Sequence, residues 1–340
     1  MTREIGSEFW DVPITNKNNG IFPSNTQWFL SGRSALQAII KELKGCHTVA
    51  MPSWCCDSMI KPFIEAGMEV YFYPVYYKKE LIQEVNVDCD VLFLMDYFGY
   101  KSRISKIREY NGTVIRDVTH SIFSLVNFDA DYYFGSLRKW CGVWTGGFCW
   151  SRDGHKLVIE DTDDGEYTLL RQKAMQLKNC YINGYVDDKG HNVKDKGYLK
   201  FYDAAEECLE HIGIAPAAKN DLFLAKKINL EFIKKRRREN AEVLISAFRD
   251  WLIFPEMADS DCPMFVPILV PNNRRNELRN FLIKSDIYCP IHWPVSRYHK
   301  LNENEQFIYS NELSLVCDQR YTEDDMCRMV ETIMLFLKEE

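Results

Sequence analysis

Residues 131–151 read DYYFGSLRKWCGVWTGGFCWS. Two strand-like runs, DYYFGS (131–136) and GGFCWS (146–151), stand too close together for a helix to fit between them. Lys139 lies in the gap, three residues after Ser136 and among Trp140, Val143 and Trp144. A lysine in apolar surroundings loses part of its charge, so a neutral amine able to form a Schiff base is the functional reading. The bland reading is a snorkelling lysine whose stem covers apolar surface. Gly146 and Gly147 allow the backbone to pass close to whatever lies against the lysine.

Upstream, SGRSALQAIIKELKG (31–45) reads as a helix. Ser31 is its N-cap, Leu36, Ile39, Ile40 and Leu43 form one apolar face, and Gly45 ends it. TVAMP (48–52), EVYFYPV (69–75), VLFLMDYFG (91–99) and TVIRDV (113–118) read as strands, with helices expected over about 55–66 and near 102–110. Near-continuous apolar strands alternating with helices predict an α/β fold around a buried, mostly parallel sheet. Residues 153–200 read as loops and irregular connection, and 217–250 as one long helix whose run KKRRREN (234–240) is a solvated face. Beyond about 251 the pattern is α+β, with strands at 264–270, 287–293 and 312–317 and helices near 273–285 and 322–338. The expected division is an N-terminal arm (1–30), a large domain (31–245) and a small C-terminal domain (246–340).

Composition narrows the class. The chain has 340 residues, 46% of them apolar and 27% charged, enough for a substantial core. Its net charge of −7 gives no field that favours nucleic acid or an anionic membrane. No apolar run long enough to cross a membrane and no signal-like start is present, so a cytoplasmic protein is expected. The 12 cysteines are scattered without a C-x-x-C, which favours reduced, mostly buried thiols over a zinc site or a disulfide scaffold. The dispersed histidines offer no metal set.

Two further clusters join Lys139. Gly32-Arg33-Ser34 opens a helix, where free N–H groups and the helix dipole can seat a phosphate and the Ser34 or Arg33 side chain can add donors. Asp117 ends a strand, and His120 follows three residues on. A phosphate seat, an Asp at a strand end and then Ser-x-x-Lys, in that order, is what pyridoxal 5′-phosphate requires. The phosphate takes the helix N-terminus, with Ser136 as a further donor. Asp117 keeps the pyridine nitrogen protonated, and Lys139 takes the aldehyde and moves the proton. Trp54 or His120 covers a ring face.

These residues carry a resemblance. The stretch from about 29 to 151 resembles the DegT/StrS (DegT/DnrJ/EryC-like) family of fold-type I, pyridoxal-phosphate-dependent sugar aminotransferases, as a divergent member. SGRSAL matches the small-residue turn that opens the family's first helix, MPSWCC its Pro-led segment, and DYFGY its aromatic-Gly strand end. Asp117-x-x-His120 is similar to the family's Asp-x-x-Gln, and Lys139 with Gly146-Gly147 to its Lys and Gly-Gly. IYCPIHWP (287–294) resembles the small-domain strand that ends near the active site, and RRREN the helix leading into that domain.

The resemblance implies a three-layer α/β fold and a homodimer. It also implies transfer of an amino group from a donor such as glutamate to a keto group of a nucleotide-linked deoxysugar. The departures are Arg33 in place of a Thr, Phe134 in place of a Ser, Thr145 in place of a Glu, and no clear counterpart of the sugar-recognition segment. GYVDDKGHNVKDKGY (184–198) and GIAPAAKND (213–221) are only loose candidates for that segment. The departures keep open an alternative: a fold relative with a binding or regulatory role, or one running an elimination.

Overall fold

The structure, a computed structural model, describes residues 4–105, 110–124, 130–160, 165–184 and 196–338. The chain enters through β1 (Ile5–Gly6) and β2 (Gln27–Phe29). α1 (Gly32–Glu42) starts as its cap dictates, with Ser31 Oγ accepting the Ser34 amide at 3.1 Å, and Gly45 closes it at φ +82°. β3 (Thr48–Pro52), α2 (Asp57–Glu65), β4 (Glu69–Tyr73), β5 (Val75–Tyr77), β6 (Leu81–Glu84) and β7 (Val91–Met95) follow. The helix expected near 102–110 is replaced at its start by a strand, β8 (Arg103–Ser105), and residues 106–109 lie outside the described residues. Pairing with β6 satisfies the backbone there, where a short isolated helix is marginal.

β9 (Thr113–Asp117), β10 (Tyr132–Ser136) and β11 (Gly147–Ser151) lie where the apolar runs predict. α3 (Gly165–Asn183) occupies a stretch expected to be irregular. Its buried face is Tyr167, Arg171, Ala174, Met175 and Lys178, and the two cations in it hide the apolar periodicity. α4 (Leu199–Leu209) precedes α5 (Lys219–Lys227) and α6 (Leu230–Ala247), which divide the single helix expected over 217–250. The break falls where the arm takes the backbone groups: Thr15 N donates to Lys227 O at 2.7 Å, and Asn229 N to Pro13 O at 2.8 Å. β12 (Val266–Leu269), α7 (Arg275–Lys284), β13 (Ile287–Tyr288), α8 (Glu303–Asn311), β14 (Glu312–Leu315) and α9 (Glu323–Lys338) complete the order. The strand expected over 287–293 ends at Tyr288, and α8 was not foreseen, although Asn302 and Glu305 form a capping box at its start.

Packing divides the chain into two units. The first comprises Met1–Ser7, Gly45–Asp131 and Leu230–Glu340. Its central sheet is wholly parallel in the order β9-β7-β3-β4, with Met95 opposite Asp117. Strands β7 and β3 are apolar and buried almost throughout, as a sheet covered on both faces requires. In the same unit β12 and β14 pair antiparallel, and α6, α7 and α9 close a separate core that includes Leu244, Ile268, Leu278, Leu313, Met329 and Ile333.

The second unit comprises Glu8–Lys44 and Tyr132–Asn229. β2, β11 and β10 form an antiparallel run carrying α1, while α3 packs on α4 around Tyr167, Ala205 and Leu209. The α/β class expected from the sequence is borne out. The cysteines among the described residues are free thiols, with Cys55, Cys141, Cys149, Cys262, Cys289 and Cys317 buried.

Candidate active site

In the second unit, β10 and β11 form a hairpin whose connection carries Lys139. Ser136 stands opposite Gly147, and Leu137 N extends the ladder to Gly146 O at 2.7 Å. The chain then makes a 3₁₀ turn, Leu137–Lys139, with Lys139 as its last residue. Trp140 and Val143 are fully buried beneath the turn, but Lys139 itself is exposed. Of the two readings of the sequence, this exposure fits the lysine whose charged end reaches solvent better than one walled in by apolar side chains.

Two glycines bring the amino end of α1 against this hairpin. A Cβ on Gly147 would lie 2.0 Å from Ser31 O, which no side chain can tolerate. A Cβ on Gly32 would lie 3.4 Å from Ser136 Cβ. Only glycine at position 147 lets the Ser31-Gly32 turn close on β11. The N–H groups of Gly32 and Arg33 occupy the first two helical positions, where no intrahelical acceptor exists. This junction brings the open amides of the helix end beside Ser136 and the lysine turn, an arrangement that suits an anion.

The side chains of Arg33 and Ser34 do not serve it. Arg33 Nη1 reaches Glu210 Oε1 at 2.9 Å, and Ser34 Oγ donates to Gly213 O at 2.9 Å. Both fix α1 to the segment after α4, so their contribution at the seat is confined to the backbone.

Charged residues not singled out in the sequence frame the lysine turn. Arg138 pairs with Glu206, and Arg171 lies 3.3 Å from Glu8. Burial pushes the Glu8 carboxyl up, but Arg171, Arg138, Lys139 and Lys178 together bring it down to about 2. Asp221 accepts from Thr145 N at 2.7 Å and from Thr145 Oγ1 at 2.6 Å, which fixes the turn before Gly146. Asp221, the last residue of the second loose sugar-segment candidate, thus braces the hairpin connection from α5. In the first, residues 185–195 lie outside the described residues.

In the first unit, the carboxyl ends of the parallel strands collect Trp54, Asp96, Tyr97 and Asp117, the place where open α/β sheets bind ligands. Asp117 is 2% exposed and accepts from Thr119 N at 2.8 Å. Burial pushes its carboxyl up to about 6 against the pull of Thr119, with Asp96 adding to the rise. Beside it, Asp96 is paired with Arg116 and accepts from Ser121 Oγ. No cation pairs with Asp117 itself among the described residues, so its carboxyl is open to a cationic partner.

His120 Nδ1 accepts the Phe98 amide at 3.2 Å, which puts the ring proton on Nε2. Its ring stacks on Trp293 at 5.7 Å and 27°. Trp54 is 1% exposed, its ring stacked on Tyr97 at 4.9 Å and its Nε1 donating to His292 O at 2.6 Å. Burial thus places Trp54 in an aromatic core, with no open face for the cofactor ring that the sequence reading gave it.

A scan against protein-family profiles finds no match, and a sequence search of curated proteins finds none. Solved structures do match. PseC from Helicobacter pylori, an aminotransferase involved in the biosynthesis of pseudoaminic acid, has a TM-score of 0.62 at 15% identity, covering 98% of this chain and 100% of that one. The sugar aminotransferase CalS13 from Micromonospora echinospora has a TM-score of 0.60 at 13% identity, over 91% and 86% of the two chains. NtdA from Bacillus subtilis, solved with the cofactor PMP bound, has a TM-score of 0.60 at 14% identity, over 92% and 73%. At these identities the likeness is one of fold, and over nearly its whole length this chain has the fold-type I architecture of the sugar aminotransferases its own motifs resemble.

Proposed function

We propose that the chain is an aminotransferase that uses pyridoxal 5′-phosphate to carry an amino group from glutamate to a keto group of a nucleotide-linked deoxysugar, in surface-polysaccharide or related biosynthesis. The observation that carries this reading is the junction of Gly32, Ser136 and Gly147 at the amino end of α1, one turn from Lys139.

The assignments follow the chemistry of each group. The amides of Gly32 and Arg33 and the Ser136 hydroxyl hold the phosphate, with the Ser34 amide already taken by Ser31. Asp117 holds the ring nitrogen, and the pairing draws its carboxyl back into the ionised form. Lys139 offers the amine and moves the proton, and His120 flanks the ring. When bound, the cofactor supplies an aldehyde and an electron-withdrawing ring.

The division into an arm (1–30), a large domain (31–245) and a small domain (246–340) belongs to the proposal, supported by the separate C-terminal core. A cytoplasmic homodimer completes it, supported by the resemblance. No helix among the described residues is long and apolar enough to cross a membrane. A second reading, binding without amine transfer, is favoured by one observation: the Arg33 guanidinium is spent on Glu210 rather than on the seat.

The test loads the protein with pyridoxal phosphate and adds glutamate. Bleaching of the visible absorbance, reversed by one of a panel of nucleotide-linked ketosugars, is the expected result. Absorbance that forms but that no amino donor bleaches would favour the second reading.

A further inference from the structure

Asp117 and His120 stand three residues apart, and one further side chain grips the backbone on both sides of them. Asp96 follows the end of β7 as Asp117 ends β9, and the Asp96 amide donates to Asp117 O at 3.1 Å. Asp96 Oδ1 accepts from Arg116 Nε at 3.0 Å and again from Arg116 Nη2, one residue before Asp117. Asp96 Oδ2 accepts from Ser121 Oγ, one residue after His120. Asp96, Arg116 and Ser121 are all buried, so water does not compete for these bonds.

Successive side chains of a strand point to opposite faces. Arg116 therefore takes the Asp96 carboxylate on one face of β9 while Asp117 stands on the other, and the grip uses none of the Asp117 carboxyl. The turn between is fixed from within. Thr119 N donates to Asp117 Oδ1 at 2.8 Å, Ser121 N to Val118 O at 3.0 Å, and Phe98 N to His120 Nδ1 at 3.2 Å. Gly99, at φ +81°, lets the chain after β7 pass close over this turn, since a Cβ there would lie 2.0 Å from Cys262 O and 3.1 Å from His120 O.

We propose that Asp96 is a positioning residue for the cofactor ring: one carboxylate clamps the segment 116–121 at both ends and so fixes Asp117 and His120 relative to each other. The part played toward the ring rests on the aminotransferase reading, but the clamp itself does not. A buried ion pair adds little net stability, because desolvation offsets the attraction. What the Asp96–Arg116 pair adds is direction: both nitrogens of the guanidinium edge fix one oxygen, and Ser121 fixes the other. Asp96 acts through Asp117 and His120, so its effect on the cofactor must depend on them.

The test reads the clamp before any cofactor is added. Asp96→Asn with Arg116→Met removes both charges, so no buried ion is left unpaired. Hydrogen exchange at the Thr119 and Phe98 amides, which donate to Asp117 and His120, is expected to be about 10-fold faster in this double variant, while the β3 amides keep wild-type rates. Ser121→Ala, the milder variant, should speed exchange at Phe98 and shift the His120 Nδ1 signal in nitrogen NMR, and it decides the matter if the double variant does not fold. Wild-type exchange at Phe98 in Ser121→Ala, or a rise at the β3 amides as large as at Thr119, overturns the clamp. On loading, affinity for pyridoxal phosphate is expected to fall about 10-fold in the double variant, but less than about 3-fold when Asp117→Asn is already present. Equal losses in the two backgrounds, or no loss beside loosened amides, overturn the positioning role alone. Failure of the wild type to bind pyridoxal phosphate would instead sink the functional reading and leave the exchange result standing.

Discussion

The surroundings of Lys139 and those of Asp117 are built by opposite means. The lysine turn is held by backbone proximity and by charge: Gly147 against Ser31 O, Arg138 on Glu206, and Arg171 beside Glu8. Its functional group is exposed, so little stability depends on the amine itself. Asp117 sits in the reverse setting, buried at a strand end, with Trp54, Tyr97, Phe98, His120 and Trp293 packed as stacked and edge-on rings nearby in the same unit. There the functional group itself carries the strain, as a carboxyl held without a cation.

The largest expected effect breaks the first setting. Gly147→Ala puts a methyl 2.0 Å from Ser31 O, and because backbone lies on both sides neither partner can yield cheaply. The loss is expected to be at least about 3 kcal/mol, read as a large fall in denaturation midpoint or as failure to fold. A Gly147→Ala protein with wild-type stability would mean that the helix end is not pinned to β11.

Asp117→Asn should act in the opposite direction. The folded carboxyl keeps its proton up to about 6, above its ordinary 3.8, so between those values the folded state binds more protons than the unfolded one. Stability therefore falls as pH rises through that window and stays lowered above it, by roughly 3 kcal/mol at neutral pH. The asparagine variant, free of cofactor, should be more stable than the wild type at neutral pH by up to that amount and equal to it in acid. Its affinity for pyridoxal phosphate should fall at least tenfold. Urea melts at the two pH values sharpen the contrast: a residue that costs stability and supplies affinity is a binding residue, and loss of both on substitution would make it structural.

The sequence was legible where meaning is local. Ser31, Gly45, the strand ends at Asp117 and Ser136, and the Gly146-Gly147 pair are read from neighbours a few positions away, and they lie in the elements expected. It was opaque where partners are remote. Trp54 looked available for stacking because Tyr97 and the His292 carbonyl, which occupy it, are distant in sequence. Arg33 and Ser34 looked like phosphate donors because Glu210 and Gly213 are equally far away. α3 was missed because Arg171 and Lys178 stand on its buried face. Glu312, a charged residue in the apolar strand ELSL, is likewise explained only by a partner distant in sequence, the His292 amide.

The central claim is that Lys139 is the amine that takes the cofactor aldehyde. Borohydride reduction of the protein with pyridoxal phosphate, followed by digestion and mass spectrometry, tests it most directly. The account predicts one phosphopyridoxyl group per chain, on Lys139, and no stoichiometric labelling of Lys139→Ala, whose melting temperature should match the wild type. Stoichiometric labelling at another lysine, or equal labelling of Lys139→Ala, would contradict it.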